Sequence, residues 1–567
     1  MNPTRLLLLS TSAMLTLLLL IEWNEFSAEQ SASTAADRFA ISDQPSSAAS
    51  AASANSAITG TDSLEPSPTD DSDDIPTVIQ PSTDTPTIRT VGRSLIELTT
   101  DSLDLTIDLR GGDIVRASLP KFLEQLDDPD RPFLLLEDNN TRTYVAQSGL
   151  IGPDGIDGAS GRAEYRYVAT NLNPENNSTE VTLNWTGSSD LDVQKIFTAY
   201  DNHHYVDVAF QVTNNGLNAA NVTSFAQLKR DNSPAPDSNT GFGMQPFLGV
   251  ALTQPEDRYT KFDFNDIADE PFSKQLEGGW IAVMQHYFVS AWIPNQTQSH
   301  YFFTRKNSSG DNVAGYTNPA TSIAPGESVV LSNRLYIGPK DQPALAELAD
   351  YLDLVIDYGF LWWIAKPLFW LLTQIQALVI NWGAAIILLT IVVKAAFFQL
   401  SAAGYRSMAK MRTVQPKIQA VRDQYADDRN KLNQAMMDLW KKEKINPMGG
   451  CLPLLIQMPV FLALYWVLME SVELRHAPFV LWITDLSAMD PYFVLPILMG
   501  ISMYLMQSLN PAPPDPIQAK IMQYMPIAFT FLMLWFPAGL VLYWLCNNVL
   551  SFAQQYVITR QIEKQAG

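Results

Sequence analysis

Residues 386–400 read IILLTIVVKAAFFQL, an apolar run with no carboxylate and no turn residue that holds one charge, Lys394. Such a run is suited to hydrocarbon, where a lysine near a helix centre costs about 2.5–3.5 kcal/mol. Lys394 lies twelve residues after Trp382 and twelve before Arg406, which on a straight helix is about 18 Å of axis from either. Working outward, apolar runs recur at about 450–470, 491–508, 521–536 and 538–558, each near the ~20 residues that span a bilayer. Leu6–Ile21, behind Arg5, is a sixth. It reads as an uncleaved anchor (1–26) or a cleaved signal; Trp23 and Glu22 favour the anchor, and Ser27 with Ala28 leave cleavage open. The expected fold of this half is an α-helical polytopic membrane bundle of six spans, five of them forming the core.

Residues 399–448 carry ten Lys/Arg against five acids. The positive-inside rule makes this segment cytoplasmic, and alternation then puts both termini inside and the region before residue 360 outside. Two helices are predicted, with a break near Asp427 and Asp428. Arg406, Lys410, Arg412, Lys417, Arg422, Lys441, Lys442 and Lys444 are candidate contacts for ribosomal RNA or anionic lipid heads. A solvated hairpin that only sets topology is the competing reading.

The first half is written for water. Much of the net charge of −22 lies in residues 25–90, where eleven acids face Arg38 and Arg89. Residues 27–90, rich in Ser, Ala, Pro and Asp, bury too little apolar area to offset chain entropy and read as a linker. Period-two alternation follows in LDLTIDLRGGD (103–113), EVTLNWTG (180–187), VDVAFQVTNNG (206–216) and SVVLSNRLYIG (328–338). Residues 91–342 are therefore predicted as an all-β sandwich. The period changes to that of a helix over 343–360, with Leu345, Leu348, Leu352, Val355 and Ile356 on one face, predicting an amphipathic helix at the interface or against the sandwich. The helical core is expected over 361–558 and a short tail over 559–567.

Lys394 has polar company elsewhere in the apolar runs: Thr390 one turn earlier, Gln457, and Asn547, Asn548 and Gln554 in the last run. A lysine there with no acid placed to neutralise it suggests a hydrated cavity entered by a partner bearing the counter-charge. Snorkelling to an interface near Gln399 is the alternative. Pro453, Pro459, Pro496, Pro526 and Pro537 loosen the helices. Cys451 and Cys546 sit in apolar runs and build no disulfide framework, the five histidines are scattered, and no hydrolase, zincin or P-loop motif occurs. Neither metal, cofactor nor catalytic residue is expected. A secondary transporter or channel for an anionic solute remains the rival function, although no inverted repeat supports it.

NPMGGCLPLLIQMPVFLALYWVL (446–468), LWITDLSAMDPYFVLPILMG (481–500) and LWFPAGLVLYWLCNN (534–548) resemble the core of the YidC family of membrane protein insertases. GGWIAVMQHYFVSAWIPN (278–295) and LDLTIDLRGGD resemble the periplasmic domain of its Gram-negative form. The resemblance implies a periplasmic supersandwich and an inner-membrane core with a hydrophilic groove, open to cytoplasm and lipid. The groove would be lined by Lys394, Thr390, Gln457, Trp544, Asn547, Asn548 and Gln554. Implied partners are nascent membrane proteins, the Sec translocon with its accessory subunits, the ribosome and membrane lipids, with the chain able to act as a monomer. Two departures stand out: Lys394 occupies a position that is often arginine, and ITRQIEKQAG (558–567) lacks the long basic tail of many relatives.

Overall fold

The computed structural model describes residues 94–158, 161–236, 246–425, 428–443, 452–510 and 516–566. The expected anchor (1–26) and linker (27–90) lie outside the described residues.

The alternating segments form strands. Along Tyr205–Asn214, Val206, Val208, Phe210 and Val212 are fully buried, while the residues between them face outward or are only half-covered. This pattern, repeated in Ser178–Trp185 and Leu191–Tyr200, gives a nine-stranded antiparallel sheet, and a ten-stranded antiparallel sheet packs over it. The centre of the larger sheet is Ala220–Arg230, paired with Thr143–Ile151 on one side and Asn312–Thr317 on the other. Residues from both sheets share one apolar core.

The sandwich also buries charge. Gly111 and Gly112 turn the chain between Asp104–Asp108 and Asp113–Leu123 with φ of 81° and 60°, conformations that favour glycine. A Cβ at Gly111 would lie 2.6 Å from Arg162 Nε, and one at Gly112 would lie 2.8 Å from Lys195 Cδ. The tight turn thus lets Gly111 O accept from Arg162 Nη2 at 3.3 Å and Lys195 Nζ at 2.9 Å. Arg162 also pairs with Asp113 and Asp157. A cavity of about 320 Å³ opens beside them, lined in part by Asp108, Asp138, Glu164 and Lys229.

The helix expected over 343–360 is shorter than its periodicity suggested. Helix α1, Gln342–Leu348, is capped by Asp341, whose side chain accepts from the Ala344 amide, and it stops where Ala349 turns extended. Two 3₁₀ turns follow, Leu352–Val355 and Gly359–Leu361, because Tyr351 takes a left-handed conformation that no continuous helix accommodates. The sustained helix on this side is α2, Trp362–Val379.

Helix α3, Trp382–Ala396, is capped by Asn381, which accepts from the Ala384 amide at 2.9 Å. Then come α4, Phe398–Gln424, and α5, Arg429–Lys442, separated by a break and capped by Asp428. Helices α6, Leu452–Glu470, α7, Val494–Ser508, α8, Pro516–Met533, and α9, Ala538–Ala566, complete the bundle. A second apolar core joins α2, α3, α6, α7 and α9 through Phe369, Ile386, Leu464, Met499 and Val541. Among the described residues no single helix is long and apolar enough to cross a membrane, but α3 and α4 form a pair bent by 69° that passes by length and composition.

Candidate functional site

The bend changes where Lys394 stands. It occupies the last turn of α3, and the axis swings by 69° beyond Ala396. Arg406 is therefore not reached along a straight helix, and the expected 18 Å of axis between them does not exist. Gln554 donates to Phe398 O at 3.1 Å, bridging α9 to the first residue after the bend.

Lys394 is half-buried, and its Nζ donates to Ser551 Oγ at 2.7 Å and Gln457 Oε1 at 3.3 Å. Gln457 in turn donates to the Tyr543 hydroxyl at 3.0 Å, and Ser551 to Asn547 O at 2.6 Å. Helices α3, α6 and α9 thus meet at one ammonium whose hydrogen-bond partners among the described residues are all neutral. An ammonium carries three donors, and exchanging a neutral acceptor for a carboxylate strengthens the bond.

The other expected groove residues are distributed around this meeting point. Asn548 is buried and donates to Ser502 Oγ at 3.3 Å, tying α9 to α7. The Asn547 side-chain oxygen is buried and has no hydrogen-bond partner among the described residues. Trp544 packs edge-on to Phe461 at 4.2 Å and against Phe529 at 4.7 Å, closing the apolar side between α6 and α8. Thr390 is buried and spends its donor on Ile386 O at 2.7 Å.

Sequence reasoning missed Ser551, the nearest partner of Lys394, along with Tyr543 and Gln555. A signal was present. Asn548, Ser551, Gln555 and Thr559 recur at helical spacing on α9, and all four are buried. Gln555 donates to Asn510 Oδ1 at 2.8 Å. The polar stripe was hidden by the apolar composition of the window around it.

In the α4–α5 hairpin, Arg406, Lys410, Arg412, Lys417, Lys441 and Lys442 are exposed, Arg422 is half-buried, and Lys444 lies outside the described residues. Val414 and Ile418 pack on Met436 and Leu439, and Lys417 pairs with Glu443 at 2.8 Å. Ala402 and Tyr405 pack on Ile558, fixing the hairpin's root to α9.

At the opposite end, α6 runs into the sandwich. Lys340 pairs with Glu470 at 2.9 Å, His286 Nε2 bonds Met469 O at 2.8 Å, and Val472 enters the sandwich core. Lys394 therefore sits toward the hairpin end of the bundle, away from the sandwich.

Two family models match, the YidC periplasmic domain over residues 95–371 and the 60Kd inner membrane protein over 374–565. The chain is 55% identical over 476 residues to the membrane protein insertase YidC of Marinomonas sp. (strain MWYL1), covering 83% of this chain and 86% of that one. It is 46% identical to that of Ectopseudomonas mendocina (strain ymp), covering 100% and 99%. A crystal structure of an active YidC insertase with its first transmembrane domain resolved overlaps 83% of this chain and 93% of its own, loosely, at 18% identity and a TM-score of 0.37.

Proposed function

We propose a mechanism from one premise: the chain belongs to the YidC family of membrane protein insertases. It inserts membrane proteins, and its substrates are nascent membrane proteins. The polar segment of a substrate enters between α3, α6 and α9 from the hairpin side and meets Lys394. Water and a fixed positive charge shorten its path through hydrocarbon, while its apolar segment slides along α6 and α8 into lipid. The observation that carries this reading is that, among the described residues, Lys394 bonds only the neutral Gln457 and Ser551, so an incoming carboxylate is a better acceptor than either.

The surroundings support this orientation. Trp362, Trp363 and Trp370 are exposed on α2 at the sandwich end, as expected of an aromatic belt at the outer interface. The basic hairpin at the other end marks the cytoplasmic side, where ribosome and anionic lipid contacts would fall. The Sec translocon is a further partner implied by the family. The inner-membrane location is that of the family, and the same charge asymmetry orients both termini inside.

The test uses two substrates that differ only in acidic or neutral residues of the translocated segment. Lys394→Arg retains insertion of both, since a cation remains. Lys394→Ala and Lys394→Glu slow the acidic substrate about tenfold, a loss of about 1.4 kcal/mol of interaction. Equal insertion of both substrates by Lys394→Ala and the parent overturns the charged groove and favours a snorkelling lysine. Intact membrane protein insertion with loss of one anionic solute's uptake on depletion would instead favour the transporter.

A further inference from the structure

The joint between the sandwich and α6 is built more tightly than a tether requires. Lys340, which follows the last strand, Ser328–Pro339, and Glu470, the last residue of α6, form an ion pair whose side chains are 2% and 6% exposed. Beside it His286 bonds Met469 O. Arg475 bonds Glu124 O at 3.2 Å, with its guanidinium 5.2 and 5.6 Å from the Phe133 and Phe288 rings. Val472 is buried among sandwich residues. The ends of α6 thus have different surroundings: Glu470 is held by the β-domain, and Gln457 bonds Lys394 and Tyr543. The two residues are thirteen apart, about 20 Å along one helix, and a packed helix transmits a displacement at one end to the other.

We propose that Lys340 and Glu470 are positioning residues for insertion: their pairing fixes the outer end of α6 and so holds Gln457 and the α6 wall in register with Lys394. The sandwich is then a clamp on the groove as well as an external domain. A buried pair suits this role because half of it is worse than none: an unmatched charge left at the joint must find water, and α6 moves to provide it. The inference rests on the insertion reading above and adds residues that lie far from Lys394.

The test is insertion of the acidic substrate by full-length variants in proteoliposomes, expressed as rate per folded molecule, with folded protein counted independently by thermal unfolding. Lys340→Met and Glu470→Gln each leave one partner unmatched and lower the rate about threefold to tenfold. Matched replacements, Lys340→Glu with Glu470→Lys or Lys340→Met with Glu470→Met, restore at least half of it. Two matched pairs are used so that failure of the reversed pair to fold still leaves a test. A purely structural joint predicts less folded protein with the rate per folded molecule unchanged, and that result overturns the proposal. Matched pairs no better than the single variants overturn it as well. A parent chain that inserts neither substrate refutes the insertion reading itself, whereas an active parent with parent-like single variants refutes only the clamp.

Discussion

Lys195 in the sandwich and Lys394 in the bundle are both lysines removed from bulk water, and their surroundings differ. Lys195 is fully buried and crosses from one sheet to the carbonyls of Gly111 and Ser148 at 2.9 and 2.8 Å. The rings of Tyr165, Phe197 and Phe210 lie 5.0–5.9 Å from its Nζ, and the Asp113 and Asp157 carboxylates are close enough to act on its charge. Lys394 is half-buried and has two neutral side-chain partners. A cation enclosed by fixed acceptors serves the fold, whereas one held by exchangeable neutral acceptors is available to a visitor.

The largest expected effect tests the first half of this contrast. Lys195→Ala opens a cavity and removes one of the two donors to the Gly111 and Ser148 carbonyls, leaving them to Arg162, so it lowers sandwich stability by about 2–5 kcal/mol, read from the urea midpoint. Lys394→Ala, by the same measurement, changes stability by only about 1 kcal/mol, because Gln457 keeps Tyr543 and Ser551 keeps Asn547. Its cost falls on insertion. Equal destabilisation by the two substitutions would erase the distinction.

A pH series sharpens it. Burial brings Lys195 from its ordinary 10.5 down to about 7. Between those values the unfolded chain binds a proton that the folded chain has shed, so stability rises with pH from about 7 toward 10.5. Below about 7 the lysine is charged in both states and the full penalty applies. The parent's urea midpoint should climb from pH 7 to pH 9, and Lys195→Met should remove that rise. The smallest effect belongs to the hairpin. Lys417 is largely exposed where it pairs with the half-buried Glu443, so Lys417→Ala should shift thermal stability by no more than about 1 kcal/mol. A larger loss would mean that the hairpin is held by charge more than by Val414 and Ile418.

Much of this was legible in the chain. The alternation Val206, Val208, Phe210, Val212 gave the strand and its buried face together, because a period of two is fixed by the pleat. The break before Asp428 was legible because a short acid accepts amide hydrogen bonds at a helix start, as it does from Asn430 and Lys431. The helix expected over 343–360 did not run its length. Its apolar spacing was real, but Leu345, Leu352 and Val355 face the sandwich from a short helix and a 3₁₀ turn. Burial can be met by several backbones with similar spacing, and local periodicity does not choose among them.

By itself the sequence determined a β-sandwich, a helical bundle and an uncompensated lysine in an apolar run, since each is a statement about local period, composition or a missing neighbour in the chain. Only the tertiary structure decided that Ser551, 157 residues away, holds that lysine, that α3 bends just beyond it, and that Lys340 meets Glu470 across 130 residues. The physical reason is range. Alternation and capping act within a few residues along the chain, whereas a hydrogen bond or ion pair acts over about 3 Å of space, and only the packed fold brings such distant residues that close.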